Sequence, residues 1–317
     1  MTNVLFRVVE ITEETPEIRT LRLVRQDDEP LRVRYRAGAH VDVVGPTGVL
    51  RQYSLCGAPD DPRSILIAVK REPASRGGSV AMHQVSVGDH LKISEPRNLL
   101  TVAEDADRHV LVAGGIGITP LLSMAYELYT WGSEFELHYF ARSRETAAFV
   151  ELLEERVEFA DRIRPHFGVP RAGHPAVLRT IAEGLTPSTH VYTCGPDGFM
   201  RQVGDVLGPV VGADHVHVEH FEAAEVDTSG DRPLTVELDT GEEFEVPAGK
   251  SILAVLEDNG IEVFKSCEEG ICGSCVSGVL EGTPDHRDNC LTAADRESQM
   301  ALCVSRALTD RLVIELY

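Results

Sequence analysis

The sequence has no run of eighteen or more apolar residues, and its start, MTNVLFRVVEITEE, lacks a basic region followed by an apolar stretch. Neither a membrane span nor a signal peptide is expected, and the reading is a soluble, cytoplasmic protein. Basic side chains are few: 30 Lys and Arg stand against 51 Asp and Glu, a net charge of −21. That balance repels phosphate backbones and argues against a nucleic-acid partner, although it also serves plain solubility. Cysteine is sparse as well. Seven in 317 residues is an odd number, and clustered cysteines in a reducing compartment more often hold metal than form disulfides. Internal repeats are absent. The length exceeds one comfortable core and implies two or three domains.

What is present falls into three textures. From Phe6 to about Pro96, short alternating runs (IRTLRLVR, AHVDVV, RQYSLCG, SILIAVK) are separated by Gly, Pro and Asp turns. This pattern predicts an antiparallel β-barrel or sandwich, assigned to residues 1–103. From Arg108 to about Phe221, strands, Gly-rich turns and helical segments alternate, which predicts an α/β domain with a parallel sheet over 104–224. Its expected helices include TPLLSMAYELYTW, TAAFVELLEERV and GPDGFMRQVGDVL. The apolar-poor EAAEVDTSGD reads as a linker, placed at 225–232. Residues 233–317 open with strands LTVELD and EFEVP, continue through a helix SILAVLEDNG closed by Gly260, and carry a cysteine-rich loop.

That loop reads SCEEGICGSC, with Cys267-x4-Cys272-x2-Cys275 and Cys303 28 positions further on. The spacing is the plant-type signature for a 2Fe-2S cluster. Structural zinc usually shows two C-x2-4-C pairs, and only one such pair stands here. Gly270 and Gly273 allow a tight turn that aims backbone N–H groups at the sulfurs. Cys290 competes as fourth ligand, but it sits in the polar DHRDNCLTAADRES. Cys303, in the apolar MALCVSRA, is better placed to shield a cluster and is the expected ligand.

This carboxy-terminal segment resembles a plant-type ferredoxin domain of α+β, β-grasp type. Fused behind a barrel and an α/β domain, the whole chain resembles the phthalate dioxygenase reductase family, which includes reductases of vanillate O-demethylase type. Arg51-Gln52-Tyr53-Ser54 lies on a barrel strand, with Arg51 and Tyr53 on one face and Ser54 on the other. A strand Arg is otherwise a solvated charge and a strand Tyr a core filler. Here they resemble the R-x-Y-S flavin motif, in which the Tyr ring packs on the isoalloxazine and the Arg binds phosphate. Arg76-Gly77-Gly78-Ser79 precedes an expected helix, VAMHQV, and offers free N–H groups to a phosphate. The resemblance implies FMN.

Ala113-Gly114-Gly115-Ile116-Gly117-Ile118-Thr119-Pro120 follows a strand and opens a helix, with Thr119 expected to cap it and Pro120 at its first position. This departs from G-x-G-x-x-G but matches the Gly-rich turn of the ferredoxin-reductase superfamily. Thr193-Cys194-Gly195-Pro196 repeats the strand-to-turn logic. In the family this segment lies beside the nicotinamide, which makes Cys194, with Tyr53 and Ser54, the expected catalytic group. Phe221 resembles the aromatic that covers the flavin. Arg142 and Arg144 follow the strand FELHYFA, where an adenine ribose is expected, and an Arg there suits a 2′-phosphate. The family nonetheless points to NADH.

Chemistry orders these sites. NADH delivers two electrons as hydride, a 2Fe-2S cluster accepts one, and a flavin must stand between them. The acceptor implied by the resemblance is a terminal oxygenase of Rieske non-haem iron type. A cytochrome P450 reductase and a general diaphorase are alternatives, and an iron–sulfur redox sensor is a non-enzymatic one. The sensor leaves the paired flavin and nicotinamide motifs unexplained.

Overall fold

The structure is a computed structural model and describes residues 4–31, 34–72, 77–223, 226–292 and 294–316. The chain divides into two compact units, Met1–Glu219 and His220–Tyr317. No helix among the described residues is long and apolar enough to cross a membrane.

The first unit begins with strands β1 (Val4–Thr15), β2 (Ile18–Arg25), β3 (Ala39–Val44), β4 (Leu50–Ser54) and β5 (Ser64–Lys70). A five-residue helix α1 (Gly78–Met82) and strands β6 (His90–Ile93) and β7 (Arg97–Asn98) follow. The order β4-β3-β6-β1-β2-β5 is antiparallel throughout, and β7 pairs with β3. A bridge between Leu55 and Ile67 joins the two ends and closes the barrel, so no edge is left between β4 and β5. Alternation explains the strands. In β2, Leu21 and Leu23 face the barrel core, Arg22 between them faces out and pairs with Glu10 of β1, and Ile18, of opposite parity to the leucines, packs in the other core.

The first unit continues with β8 (Arg108–Gly114), α2 (Ile118–Trp131), β9 (Phe135–Ala141), β10 (Ile163–Phe167), α3 (His174–Ala182), β11 (Thr189–Cys194), α4 (Asp197–Val211) and β12 (Val216–Glu219). Every pairing in the order β10-β9-β8-β11-β12 is parallel. The central strand RHVLVAG is buried along nearly its whole length, as a strand covered on both faces must be. Its alternate residues feed two cores. Leu111 and Ala113 pack with α2, whereas Val110 and Val112 pack with α3 and α4. The α2-side core also takes in Ile18, Ala37, Cys56, Ala68, Leu100 and Val102, which explains why barrel and parallel sheet form one unit.

One expected helix is cut short. TAAFVELLEERV begins at the end of a 3₁₀ turn, Arg144–Thr146, and is helical only from residue 150, ending in a π turn at Leu152–Arg156. Phe149 takes φ 62°, its N–H donates to Glu14 Oε2 at 2.8 Å, and Ala147, Ala148, Phe149 and Leu153 are buried against α2. Tertiary packing has overridden a good helical composition.

The second unit carries β13 (Leu234–Leu238), β14 (Glu243–Val246), α5 (Ile252–Asp258), β15 (Val276–Glu281), β16 (Pro284–Asp285), β17 (Gln299–Ala301), β18 (Arg306–Ala307) and β19 (Arg311–Glu315). The sheet order is β14-β13-β19-β15-β17, with β13 and β19 parallel and the helix packed on it, an α+β arrangement. Ser251 caps α5 by accepting from Ala254 N at 3.1 Å, and Gly260 turns the chain out at φ 80°. The end of the expected linker is anchored. Asp231 is enclosed with Arg287 at 2.8 Å and Arg306 at 3.6 Å, and Arg306 donates to the Arg232 carbonyl at 2.8 Å.

A row of histidines crosses the parallel sheet. His109, His138 and His217 are each held down to about 4, first by burial and then by a neighbouring histidine, and His190 Nδ1 lies 2.8 Å from His217 Nε2. Groups with depressed pKa values contribute stability above the ordinary histidine value of 6.5, and that contribution is lost as pH falls toward 4. The melting temperature is expected to fall steeply between pH 6.5 and 4, and His109→Gln to make the fall shallower. Parallel melting curves of the two proteins across that window test this.

Candidate active site and cluster loop

Strand β4 brings the first group together. Arg51 lies along Gly78: a Cβ there would come 3.1 Å from Arg51 Cγ and 3.2 Å from its Nε. Gly77 is the N-cap of α1 in the left-handed region, φ 91°, and faces open space. Ser79 Oγ accepts from Glu72 N at 3.0 Å and so pins this turn to the end of β5. Two motifs 27 positions apart thus lie together, a cation beside a glycine turn. Arg76 lies outside the described residues. Burial pushes the Tyr53 hydroxyl up to about 12, with Arg51 opposing, so the ring stands as a neutral face beside that charge.

The second group lies where the sheet order reverses, between β8 and β11. The two neighbouring strands send their helices to opposite faces, which leaves a crevice at their carboxyl ends. Gly114, Gly115 and Gly117 on one side meet Cys194, Gly195 and Pro196 on the other. A Cβ at Gly117 would sit 2.2 Å from the Cys194 carbonyl oxygen, and one at Gly114 would sit 2.8 Å from the Phe199 ring. Gly195 is as close-packed, 3.0 Å from Gly114 Cα, and Pro196 is the N-cap of α4. Only glycine allows the turns to touch. Gly115, at φ 58°, faces open space and leaves its backbone accessible.

The expected cap is different. The helix starts earlier, through a 3₁₀ turn at Gly115–Gly117 that runs into α2. Thr119 is therefore its second residue, buried, with Oγ1 donating to the Ile116 carbonyl at 3.0 Å, and Pro120 is its third. Proline remains tolerated there because the first turn has no intrahelical acceptor for its missing N–H.

A residue that sequence reasoning passed over joins the two groups. Glu219, the last residue of β12, pairs in register with Cys194, and its Oε1 accepts from Ser54 Oγ at 3.3 Å. Part of the residue remains exposed, but Oε2 is enclosed and has no hydrogen-bond partner among the described residues. Burial raises its carboxyl to about 8, against the lowering effect of the Ser54 hydrogen bond. Burial, then the Glu219 charge, raises the Cys194 thiol. The only sequence signal was an acidic residue ending the strand in VHVEHF. Phe221 falls in the second unit and is 36% exposed. At the end of β9, Arg144 is gripped by both oxygens of Glu154, and Arg142 Nη2 lies 3.7 Å from Glu17.

In the second unit the four expected thiols pair two and two. The Cys267 side chain lowers the Cys272 thiol and is itself raised, and Cys303 likewise lowers Cys275 and is itself raised. Backbone N–H groups converge on the sulfurs: Glu269 N lies 3.3 Å from Cys267 Sγ, and Ser274 N and Cys267 N lie 3.4 and 3.5 Å from Cys272 Sγ. Gly270 and Gly273 turn at φ 73° and 69°, as the tight loop requires. Cys290 is outside these pairs. Burial first, then Asp288, raises its thiol, which lies 3.7 Å from Asp288 Oδ2.

A barrel that sets an arginine against a glycine turn, a parallel sheet with a glycine-lined switch point and a thiol-rich α+β unit fit an iron–sulfur flavoprotein reductase. Residues 236–308 match the family described as 2Fe-2S iron-sulfur cluster binding domain. The chain is 44% identical over 318 residues to a vanillate O-demethylase oxidoreductase of Pseudomonas putida, covering 98% of each. The solved structure of phthalate dioxygenase reductase, described as modular for electron transfer from pyridine nucleotides to a 2Fe-2S centre, superposes with a TM-score of 0.71 at 36% identity, covering 99% of this chain and 98% of that one. A type IV self-sufficient cytochrome P450 monooxygenase superposes with a TM-score of 0.88 at 35% identity over 98% of this chain, which spans 41% of that longer one. The chain belongs to the phthalate dioxygenase reductase family, a group of electron-transferring oxidoreductases with vanillate O-demethylase oxidoreductases among its members.

Glu219 supplies a pH test independent of any cofactor. Its raised carboxyl contributes stability fully present below about pH 4.5, which is lost as pH rises through about 8. Glu219→Gln should therefore gain melting temperature relative to the native protein between pH 6 and 9. A difference that does not change with pH would remove the raised carboxyl from the account.

Proposed function

We propose that the chain oxidises NADH at a bound FMN and passes the electrons singly through a 2Fe-2S cluster to a terminal oxygenase of Rieske type. The observation that carries this reading is the convergence of backbone N–H groups on Cys267 and Cys272 within the matched 2Fe-2S segment, in one chain with the Arg51–Gly78 contact and the switch-point crevice. The flavin supplies the conversion from hydride to single electrons, and the cluster carries these outward.

The chain's own residues have separable roles. Arg51 and the turn at Gly77 and Gly78 bind one phosphate, which favours FMN, and Tyr53 presents its neutral ring to the isoalloxazine. Gly115 and Gly117 let the nicotinamide coenzyme's pyrophosphate approach the start of α2. Cys194 and Glu219 close the crevice floor against water. Burial favours the protonated Glu219 carboxyl near neutral pH, while its Oε1 accepts from Ser54. The Arg144–Glu154 pair occupies the arginine best suited to a 2′-phosphate, which favours NADH over NADPH. A reducing, cytoplasmic setting suits free thiols. The match to a self-sufficient P450 chain supports a second acceptor class, a haem monooxygenase, decided by which purified oxygenase turns over with this reductase.

Docking follows from charge. Residues 233–317 hold 17 Asp and Glu against 6 Lys and Arg, a net −11. Beside the cysteine loop, Glu262 and Glu268 are exposed, Phe264 is 40% exposed, and Lys265 offsets Glu268 at 3.0 Å. This face suits a small, transient contact with a basic acceptor.

Two outcomes are expected. Cys303→Ser loses the iron signal but retains NADH-dependent ferricyanide reduction, because the flavin still delivers electrons, whereas Cys290→Ser keeps its iron; the reverse result would exchange the fourth ligand. Reduction of cytochrome c, a basic acceptor, slows roughly tenfold from low to high salt and slows likewise in Glu262→Gln with Glu268→Gln. Rates flat with salt and untouched by the substitutions would discard steering.

A further inference from the structure

Asp288 has no exposed side-chain surface, and nothing in the flavin or nicotinamide chemistry uses it. A buried carboxylate is costly unless donors surround it, so a chain that keeps one has a local reason. Here the donors are complete. Oδ1 accepts from Ser305 Oγ at 3.2 Å, with His286 Nδ1 at 3.6 Å. Oδ2 accepts from Leu291 N at 3.0 Å and from the Cys290 thiol at 3.7 Å, with Arg296 Nη2 at 3.6 Å. Arg296 also donates to the Asp288 carbonyl at 2.6 Å.

The position matters more than the count. Ser305 lies two residues beyond Cys303. On the other side, Asn289 N donates to the Gly270 carbonyl at 2.9 Å, inside the loop between Cys267 and Cys272. A Cβ at Gly270 would come 2.6 Å from Val304 and 3.2 Å from Asp288 Cα, so the cysteine loop, the 286–291 strap and the Cys303 segment meet at one point. Ligands on two chain segments hold a fixed separation only if something ties those segments together, and outer hydrogen bonds of this kind tune the centre they surround.

We infer that Asp288 is a positioning residue for the iron–sulfur cluster: it ties the segment bearing Cys303 to the loop bearing Cys267, Cys272 and Cys275, and its negative charge holds the cluster's reduction potential down. Reduction adds an electron close to an enclosed negative charge, which opposes it; Arg296, on the outer side, partly offsets that charge. The inference rests on the cluster assignment proposed above.

The test is a redox titration of the full chain followed by electron paramagnetic resonance. Asp288→Asn should raise the midpoint so that the reduced-to-oxidised ratio at a fixed potential grows about tenfold, 59 mV for one electron, and should alter the g-values. Arg296→Gln, at a partly exposed site, should move the midpoint the other way. Opposite signs are the signature of charge; a purely structural strap would not produce them. A native cluster whose midpoint is unmoved in both variants, or moved in the same direction, overturns this inference alone. Where Asp288→Asn fails to hold iron, Arg296→Gln decides. A native protein without iron overturns the cluster assignment and this inference with it.

Discussion

The contact on which the first unit depends is the approach of Gly117 to the Cys194 carbonyl, a place where any side chain would meet backbone at 2.2 Å. Strands β8 and β11 lie side by side, so their exits must share the space above the sheet. Only turns without a Cβ can share it while α2 and α4 leave to opposite faces. The crevice they frame is narrow and dry enough to enclose one oxygen of Glu219 and the Cys194 sulfur. The barrel reaches the same place because Leu55 closes it one residue after Ser54.

Burial treats ionisable groups in two ways here. Glu219 and the histidines of the parallel sheet meet too few compensating partners, so desolvation dominates and the neutral form is favoured. Asp288 and Asp231 are enclosed among arginines and further donors, and the second unit keeps them as members of ion pairs. The neutral groups named here lie in the first unit. Buried paired charges occur in both: Asp42 of the first is held by Arg97 at 2.7 Å, and Asp231 and Asp288 of the second lie against Arg287, Arg306 and Arg296.

Separate sites follow from the same division. The first unit needs concave, glycine-lined space for two phosphate-bearing groups. The second needs a short convex loop that brings its centre near the surface, because electron transfer to a partner weakens with distance while hydride transfer needs contact. Its acidic surface, Glu262 and Glu268 included, lies beside that loop.

The sequence by itself determined the features encoded over a few neighbouring residues: the cysteine spacing, the glycine turns after β8 and β11, the alternation of β2 and the uninterrupted apolar run of β8. Each reflects a local geometric demand, a ligand bite or a strand period, that residue types satisfy directly. Tertiary structure decided the rest. Glu219 acquires its raised carboxyl only because β12 lies beside β11 and Ser54 arrives from a barrel 165 positions away in the chain. TAAFVELLEERV keeps only a short helical stretch as it packs against α2, and Thr119 falls inside a helix that begins one turn sooner. These outcomes depend on strand order and on which distant groups share a buried space, and no local pattern records that because burial energy is summed over contacts between segments far apart in the chain.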